Sequence, residues 1–184
     1  GVDVFLGEAH FTGPKAIEVG GKRLRFRKAC IATGARASAP PIPGLETVPY
    51  LTNENLFDLL ELPGRFTIIG AGPIGAEMAQ AFQRLGSQVT LVDSGSQILG
   101  REDPAAASIL VRQLHEEGVS IRLRARILSV SGDGNTQSVT IRQDGHEEVL
   151  VSDRLLVAAG RAPNVEGMGL EAAGVRFGRQ GVEV

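Results

Sequence analysis

The chain has 184 residues, a formal net charge of −2 and 42% hydrophobic residues. That is enough apolar sequence for a core in one large domain, or in one domain with parts of its neighbours, and the charge gives no general attraction to nucleic acid or to an anionic membrane. One cysteine excludes an internal disulfide or a CxxC pair within these residues, and no apolar run reaches the roughly 18 residues of a membrane helix.

The first part of the chain is predicted to be all-β. Extended runs separated by Gly-Pro and Gly-Gly turns are predicted at residues 2–11, 16–19, 22–26 and 28–34. The last of these, Lys-Ala-Cys-Ile-Ala-Thr-Gly, has the pattern of a buried strand, so Cys30 is interpreted as a small core residue rather than a nucleophile. A proline-rich run at 40–44 follows, which cannot be helix or central strand and is predicted to be a stiff connector.

A predicted helix and a predicted strand–helix–strand unit come next. Residues 52–60 are predicted to be helical with Thr52 as the N-cap, and Pro63-Gly64 would end that helix. Residues 66–69 are a short apolar run typical of a buried strand, and 88–92 are a second. Between them the helical face is predicted to be apolar at Ile74, Met78, Ala81, Phe82 and Leu85.

The turn between the first strand and this helix fits the pattern G-x-G-x-x-G and predicts a dinucleotide site. Glycine at the first position allows the tight turn, glycine at the second lets a pyrophosphate approach the backbone, and glycine at the third lets the helix pack against the strand. The free N–H groups of the helix N-terminus would face the phosphates. The turn consists of Gly70, Ala71, Gly72, Pro73, Ile74 and Gly75.

Asp93 ends the second strand, 23 residues after Gly70, close to the expected spacing of about 20 for the acid that binds the adenosine ribose. A carboxylate there accepts from the ribose hydroxyls and repels a 2′-phosphate. Residues 94–100 contain no Lys or Arg, and Arg101 is far along the chain. The sequence therefore predicts NAD rather than NADP as the cofactor.

The remaining chain is predicted to complete a Rossmann-like domain and then leave it. A helix is predicted at 105–117, followed by strands at 119–123, 127–130, 138–142, 147–151 and 154–159. The expected fold class is α/β, with a parallel sheet, flanking helices and a β-meander at 50–160, between partial segments of another domain at 1–49 and 161–184. Arg122, Arg124 and Arg126 are interpreted as one solvated strand face, and the three isolated histidines predict no metal site.

Three separated motifs in this order resemble those of the pyridine nucleotide–disulfide oxidoreductases. Residues 31–36, Ile-Ala-Thr-Gly-Ala-Arg, resemble the ATG crossover of two-dinucleotide flavoproteins, 70–75 their inserted nucleotide motif, and 159–164, Ala-Gly-Arg-Ala-Pro-Asn, the return into the FAD domain. The resemblance is strongest to the mercuric reductase and dihydrolipoamide dehydrogenase group. The Gly-Arg-Glu-Asp-Pro run at 100–104 is similar to the mercuric reductase branch.

The resemblance implies an FAD-dependent enzyme that passes a hydride from NAD(P)H to FAD and on to a disulfide-type or metal acceptor. It implies that Glu77 lies near the nicotinamide, Gly160 at the rim of the pyridine-nucleotide site, and Thr33 and Gly34 near the flavin. Position 73 is proline where many relatives carry a gating tyrosine, so that gating role is not expected here. The redox cysteines and the catalytic His and Glu of the family would lie outside these residues, so no catalytic residue is assigned and the isolated chain is expected to be inactive.

Two other functions are also compatible with the sequence. One is an NADH oxidase or NADH dehydrogenase flavoprotein without a redox disulfide, and the other is a non-catalytic nucleotide-sensing module. The ATG motif before the glycine-rich turn argues against the module. The expected partner is a nicotinamide dinucleotide, with a homodimer only in the full-length protein and with no nucleic acid or membrane. The expected compartment is the cytoplasm, since no signal-peptide pattern opens the chain.

Overall fold

A computed structural model describes all residues, 1–184. The chain divides into two compact units, one of residues 37–160 and one of residues 1–36 with 161–184. None of its helices has the length and apolar character needed to cross a membrane.

The regular structure consists of two α-helices and fourteen short strands. The helices are α1 (Pro73–Leu85) and α2 (Pro104–Glu116). The strands are β1 (Ala9–Gly13), β2 (Ala16–Val19), β3 (Lys22–Arg25), β4 (Ala35–Ala37), β5 (Arg65–Ile69), β6 (Gln88–Val92), β7 (Ser120–Arg122), β8 (Arg126–Gly132), β9 (Gln137–Gln143), β10 (His146–Ser152), β11 (Arg154–Val157), β12 (Arg161–Pro163), β13 (Phe177–Gly178) and β14 (Gly181–Val182).

The unit of residues 37–160 is built on a parallel sheet with the strand order β11-β5-β6-β7. Strand β5 lies in the centre, and its Phe66 and Ile68 are almost completely buried, which is the continuous apolar burial typical of a parallel strand covered on both faces. An antiparallel meander, β10-β9-β8, forms a second sheet. This α/β architecture of a parallel sheet, helices and a β-meander confirms the predicted fold class.

Helix α1 begins and ends where the sequence predicted. Pro73 occupies the first turn, and Gly86 ends the helix with φ 112°, a left-handed value that glycine adopts without strain. Its buried face differs from the prediction, because Gly75, Ala76 and Ala79 are buried whereas Leu85 is 67% exposed. The small residues let the helix lie close to the sheet, and the larger side chains lie to either side of this helix–sheet contact.

Helix α2 also matches its prediction, and a charged cluster joins its C-terminal end to that of α1. The Nε of Arg84 donates to Glu117 at 2.8 Å, and the side-chain amides of Gln80 and Gln113 donate to the same carboxylate. These donors, Arg84 first and Gln113 second, lower the pKa of Glu117 to about 2. The Glu117 side chain is only 16% exposed, so the cluster connects the two helices in a partly desolvated place.

Replacing Glu117 with glutamine is therefore expected to make the melting temperature less sensitive to pH in the acid range. The folded-state pKa lies below the ordinary value of 4.5, so the carboxylate stabilises the fold above that value and loses its contribution as pH falls toward about 2. At pH 7 the Tm of the variant should be lower by a few degrees. The difference from wild type should shrink between pH 4.5 and pH 2.

The matched control for this prediction is Glu116→Gln, one residue earlier on α2 and exposed to solvent. It should follow the wild-type melting curve at every pH. Equal Tm values for wild type and Glu117→Gln at pH 7 would contradict a stabilising role for the cluster.

The second unit, residues 1–36 with 161–184, contains a three-stranded antiparallel sheet, β1-β2-β3, and the small strand pair β13-β14. Its core is formed by Phe11, Val165 and Leu170, with Phe26 packed edge-on against Phe11 at a centroid distance of 5.9 Å. Gly169 lies so close that a Cβ there would overlap the carbonyl oxygen of Phe11.

Three local predictions were wrong. Residues 28–34 form no strand, and Cys30 is exposed. No neighbouring strand pairs with this segment, and a strand without a neighbour leaves its backbone N–H and C=O groups without hydrogen-bond partners. Residues 52–60 form only a 3₁₀ turn at Leu56–Asp58, with Leu60 98% exposed, so one buried leucine does not provide a helical face. The predicted arginine face is also absent, because Arg122 ends β7, Arg124 lies between strands and Arg126 begins β8.

The unit bounds differ from the predicted division after residue 49. The larger unit already begins at Ala37, because Leu45 and Val48 are buried in a cluster with residues of the parallel sheet and the meander. The proline-rich run therefore leads into a packed segment. The backbone N–H of Val130 on β8 donates to the carbonyl of Pro43 at 2.8 Å.

Candidate functional site

The glycine-rich turn connects β5 to α1 at the carboxyl end of the parallel sheet. Gly70 has φ 104°, and a Cβ there would lie 2.6 Å from the carbonyl oxygen of Ala158. At Gly75 a Cβ would overlap the carbonyl oxygen of Gly70 itself. These two positions therefore require glycine for packing inside the protein, which matches the reasons stated from the sequence.

Gly72 is different, because nothing in the protein lies within 4 Å of the place where its Cβ would be. Its φ of −73° and ψ of −173° are values that any residue adopts. Neither the backbone nor the packing within this unit therefore requires glycine at position 72. The open space beside its backbone is available to another molecule.

The N-terminus of α1 carries no side-chain cap. By contrast, the carboxylate of Asp103 caps α2 by accepting from the N–H groups of Ala105 and Ala106, at 2.8 and 3.2 Å. The first-turn N–H groups of a helix have no acceptor within the helix, and together with the helix dipole they attract an anion. The end of α1 thus offers uncapped donors next to the open side of Gly72.

Asp93, at the end of β6, lies against this turn. Its Oδ2 accepts from the N–H of Ala71 at 2.6 Å and its Oδ1 accepts from the N–H of Gly95 at 2.6 Å. The carboxylate thus holds the glycine-rich turn and the following loop together. Each oxygen has a second lone pair, so the group can still accept from a ligand hydroxyl.

The remaining predicted residues lie in three places. Glu77 is exposed on α1, and no hydrogen bond of its side chain is present. Gly160 ends the larger unit, where its carbonyl accepts from the N–H of Ser38 at 3.1 Å. Thr33 and Gly34 belong to the other unit. The structure therefore brings Asp93 to the glycine-rich turn but gives Glu77 no contact there.

The two outer motifs meet in the smaller unit. The hydroxyl of Thr33 donates to the carbonyl of Asn164 at 2.9 Å, and the Asn164 side-chain amide donates back to the carbonyl of Thr33 at 2.9 Å. The N–H of Asn164 donates to the carbonyl of Gly34, and Arg36 forms an ion pair with Glu166. These reciprocal hydrogen bonds join two residues that are 131 positions apart in the sequence. They were not predicted, because no local sequence pattern indicates which distant segment a residue will contact.

Sequence reasoning also missed Arg124. The segment after β7 runs beside the loop that follows Asp93, and the N–H of Arg124 donates to the carbonyl of Gly95 at 2.8 Å. Only the pairing of β6 with β7 places it there. No group of three or more His, Cys, Asp or Glu side chains is arranged to hold a metal ion.

A parallel sheet with a glycine-rich strand-to-helix turn at its carboxyl edge, and an acid at the end of the next strand, define the class of Rossmann-like α/β proteins. The family model for pyridine nucleotide-disulphide oxidoreductases matches residues 1–184. This chain belongs to that family.

Relatives and solved structures agree with this assignment. The chain is 38% identical to a mercuric reductase of Staphylococcus aureus over 98% of its own length and 33% of that protein. It is 35% identical to a dihydrolipoyl dehydrogenase of Thermus scotoductus over 98% of its length and 40% of that protein. The structure of the HOCl-induced flavoprotein disulfide reductase RclA from Escherichia coli superposes with a TM-score of 0.84 at 35% identity, covering 99% of this chain and 42% of RclA.

The chain thus spans about one third to two fifths of the length of these curated relatives. Use of FAD and a nicotinamide dinucleotide follows at the level of the family.

Proposed function

We propose that this chain is the pyridine-nucleotide-binding part of a flavoprotein oxidoreductase that passes a hydride from NADH to FAD and on to a disulfide-type or metal acceptor. The observation that carries the proposal is the pairing of the open backbone at Gly72 with the uncapped N-terminus of α1. A pyrophosphate needs both features, close approach to backbone and free N–H donors. In this role Gly70, Ala71, Gly72, Pro73, Ile74 and Gly75 line the pyrophosphate.

Asp93 is proposed to bind the adenosine ribose, and its carboxylate favours NADH over NADPH because it repels a 2′-phosphate. Glu77 is proposed to lie near the nicotinamide and Gly160 at the rim of the site. Thr33 and Gly34 are proposed to lie near the flavin. The two bound groups supply the hydride chemistry, while the protein residues bind and orient them.

The domain organisation of the full-length protein is part of this proposal. Residues 37–160, a longer stretch than the 50–160 predicted from the sequence, would form the nucleotide domain, and 1–36 and 161–184 would belong to the FAD domain of a longer protein. In that full-length protein we also propose a homodimer and a cytoplasmic location. A disulfide-reductase function fits the mercuric reductase and dihydrolipoyl dehydrogenase relatives better than an NADH oxidase or a nucleotide sensor does.

The nucleotide role is tested with the full-length protein that carries this chain, purified with its flavin. Isothermal titration with NAD⁺ and NADP⁺, which cannot reduce the flavin, should give a lower Kd for NAD⁺. NADH added without oxygen should bleach the flavin absorbance. No heat of binding with either dinucleotide would contradict the proposal.

The acceptor is tested separately, by steady-state NADH oxidation with oxidised lipoamide, with Hg(II) or with oxygen alone. Turnover with lipoamide or Hg(II) well above the rate with oxygen is the expected result. Oxygen as the sole acceptor would favour the NADH oxidase alternative.

A further inference from the structure

Residues 15–28 of the smaller unit carry a concentration of positive charge. This stretch contains six basic side chains and one acid, although the whole chain has a net charge of −2. The basic residues, which include all three lysines of the chain, are Lys15, Lys22, Arg23, Arg25, Arg27 and Lys28. All six are exposed, and none belongs to the six ion pairs of the chain. The acid, Glu18, lies opposite Arg23 in the ladder of β2 and β3 but forms no ion pair with it.

Strand β3 arranges its arginines on one face. Arg23 and Arg25 are two residues apart, so their side chains leave the strand on the same side, about 7 Å from each other. Leu24 and Phe26 lie on the opposite side, where both are half-buried and Phe26 packs against the core of the unit. Arg27 follows at the same two-residue spacing, just past the end of β3. The result is a row of guanidinium groups on the solvent side of the sheet.

The backbone of the same residues is also available, because β3 is an edge strand of the β1-β2-β3 sheet. In an antiparallel ladder every second residue bonds to the neighbouring strand, and the residues between them point their backbone groups away from it. The N–H of Phe26 donates to the carbonyl of Lys15 at 3.2 Å, which sets this alternation. The N–H and C=O groups of Arg23 and Arg25 therefore point to the open edge, where no strand of the chain pairs with them.

We propose that β3 is a docking edge for an extended acidic segment of a partner protein, which adds to the sheet as an antiparallel fourth strand. Carboxylates at every second position of that segment would lie opposite Arg23 and Arg25 and continue toward Arg27, because both strands have the same two-residue period. In this mode of recognition the main-chain hydrogen bonds supply affinity and the alternate side chains supply specificity. The proposal does not depend on the proposed nucleotide role.

The charge of the edge selects this partner over others. Charged side chains on an edge strand normally prevent pairing with further strands, and a second copy of β3 would be repelled. An acidic strand reverses that effect, since each charge that rejects other strands attracts a carboxylate. A single-stranded nucleic acid would need aromatic rings on which its bases stack, but Phe26, the aromatic residue among these arginines, packs on Phe11 instead.

The test measures peptide binding to the flavin-loaded full-length protein by fluorescence anisotropy. The probe is a labelled peptide with glutamate at every second position and valine or threonine between, and the comparison peptide has the same composition with its glutamates adjacent. The alternating peptide is expected to bind about tenfold more tightly, because only its carboxylates match the spacing of the arginines. Its affinity should fall as salt is added.

The triple variant Arg23→Gln/Arg25→Gln/Arg27→Gln is expected to raise the Kd of the alternating peptide about tenfold. The three side chains are exposed, so its Tm and its flavin absorbance should match those of wild type.

The matched control is the triple variant Arg101→Gln/Arg112→Gln/Arg179→Gln, which removes the same charge at exposed positions outside residues 15–28. It should leave the Kd of the alternating peptide within twofold of the wild-type value. An equal loss of affinity in both triple variants would show attraction by net charge alone and would overturn the proposal.

Strand addition is tested separately on the unaltered protein with N-methylated peptides. In an antiparallel pair the residues opposite Arg23 and Arg25 exchange backbone hydrogen bonds with them, so N-methylation of the glutamates should abolish binding. N-methylation of the residues between should be tolerated, because their N–H groups point away from β3. Equal binding of the two methylated peptides would overturn the assignment of β3 as a docking edge.

Three further results would overturn the proposal. They are an alternating peptide that does not bind wild-type protein, equal affinity for the alternating and the adjacent-glutamate peptide, and an unchanged Kd in the variant of Arg23, Arg25 and Arg27. A labelled single-stranded oligothymidylate is the competing probe. Tighter binding of this DNA than of the peptide, lost in the same variant, would assign the surface to nucleic acid and contradict an acidic protein partner.

Discussion

Gly72→Ala is expected to leave the fold intact and to weaken NAD⁺ binding at least tenfold. The backbone at Gly72 is in a conformation open to any residue, and an added methyl group meets no protein atom within 4 Å. The same methyl group would occupy the space through which a pyrophosphate reaches the backbone. Thermal melting and isothermal titration with NAD⁺, both on the full-length protein, measure the two effects separately.

Gly75→Ala, in the same turn, is expected to destabilise the fold, whereas Gly72→Ala is not. Its methyl group would overlap the Gly70 carbonyl, so α1 must move away from β5, and we expect a loss of about 3 kcal/mol of stability together with loss of binding. Gly100→Ala is the control, because the same methyl group is added there in open space at a negative φ. Unchanged NAD⁺ affinity in Gly72→Ala would show that the pyrophosphate does not bind at this turn.

Asp93→Ala is expected to weaken NAD⁺ binding by one to two orders of magnitude and to lower stability by about 1–3 kcal/mol. The carboxylate accepts from the backbone of both Ala71 and Gly95, so its removal leaves two partly buried N–H groups without an acceptor. It also removes the proposed acceptor for the ribose hydroxyls. The measurements are urea unfolding for stability and isothermal titration for binding.

Comparing the affinities of the Asp93→Ala variant for NAD⁺ and NADP⁺ distinguishes the two roles of Asp93, holding the glycine-rich turn and binding the ribose. Loosening of the glycine-rich turn should weaken NADP⁺ binding as well, whereas loss of the ribose contact alone should weaken only NAD⁺. Ser94→Ala, at the exposed neighbouring residue, should change neither quantity. Wild-type stability and wild-type NAD⁺ affinity in Asp93→Ala would contradict both a stabilising effect of the Asp93 hydrogen bonds and the proposed ribose contact.

The strand–helix–strand unit could be predicted because its signals are local. The apolar run of β5, the proline at the start of α1 and Gly86 at its end each act on their own few residues, and the structure places the element bounds within one residue of the prediction. The strands of the meander were found for the same reason, within one or two residues, since glycine turns separate them.

Residues 28–34 were mispredicted because an apolar run specifies that a segment could be a strand, not that a neighbouring strand exists to pair with it. The single turn at Leu56–Asp58 has a similar explanation. A capping residue can start a helix, but only a continuous buried face stabilises one of this length, and Phe57 and Leu60 point to solvent.

By itself the sequence determined the fold class, the glycine-rich turn and the acid at the end of β6, because each depends on backbone conformation or residue spacing within one segment. Only the tertiary structure decided that Asp93 holds Ala71 and Gly95 and that Arg124 lies beside them. Those contacts arise from the order in which parallel strands pair. That order is set by the packing of the whole sheet, and no short stretch of sequence encodes it.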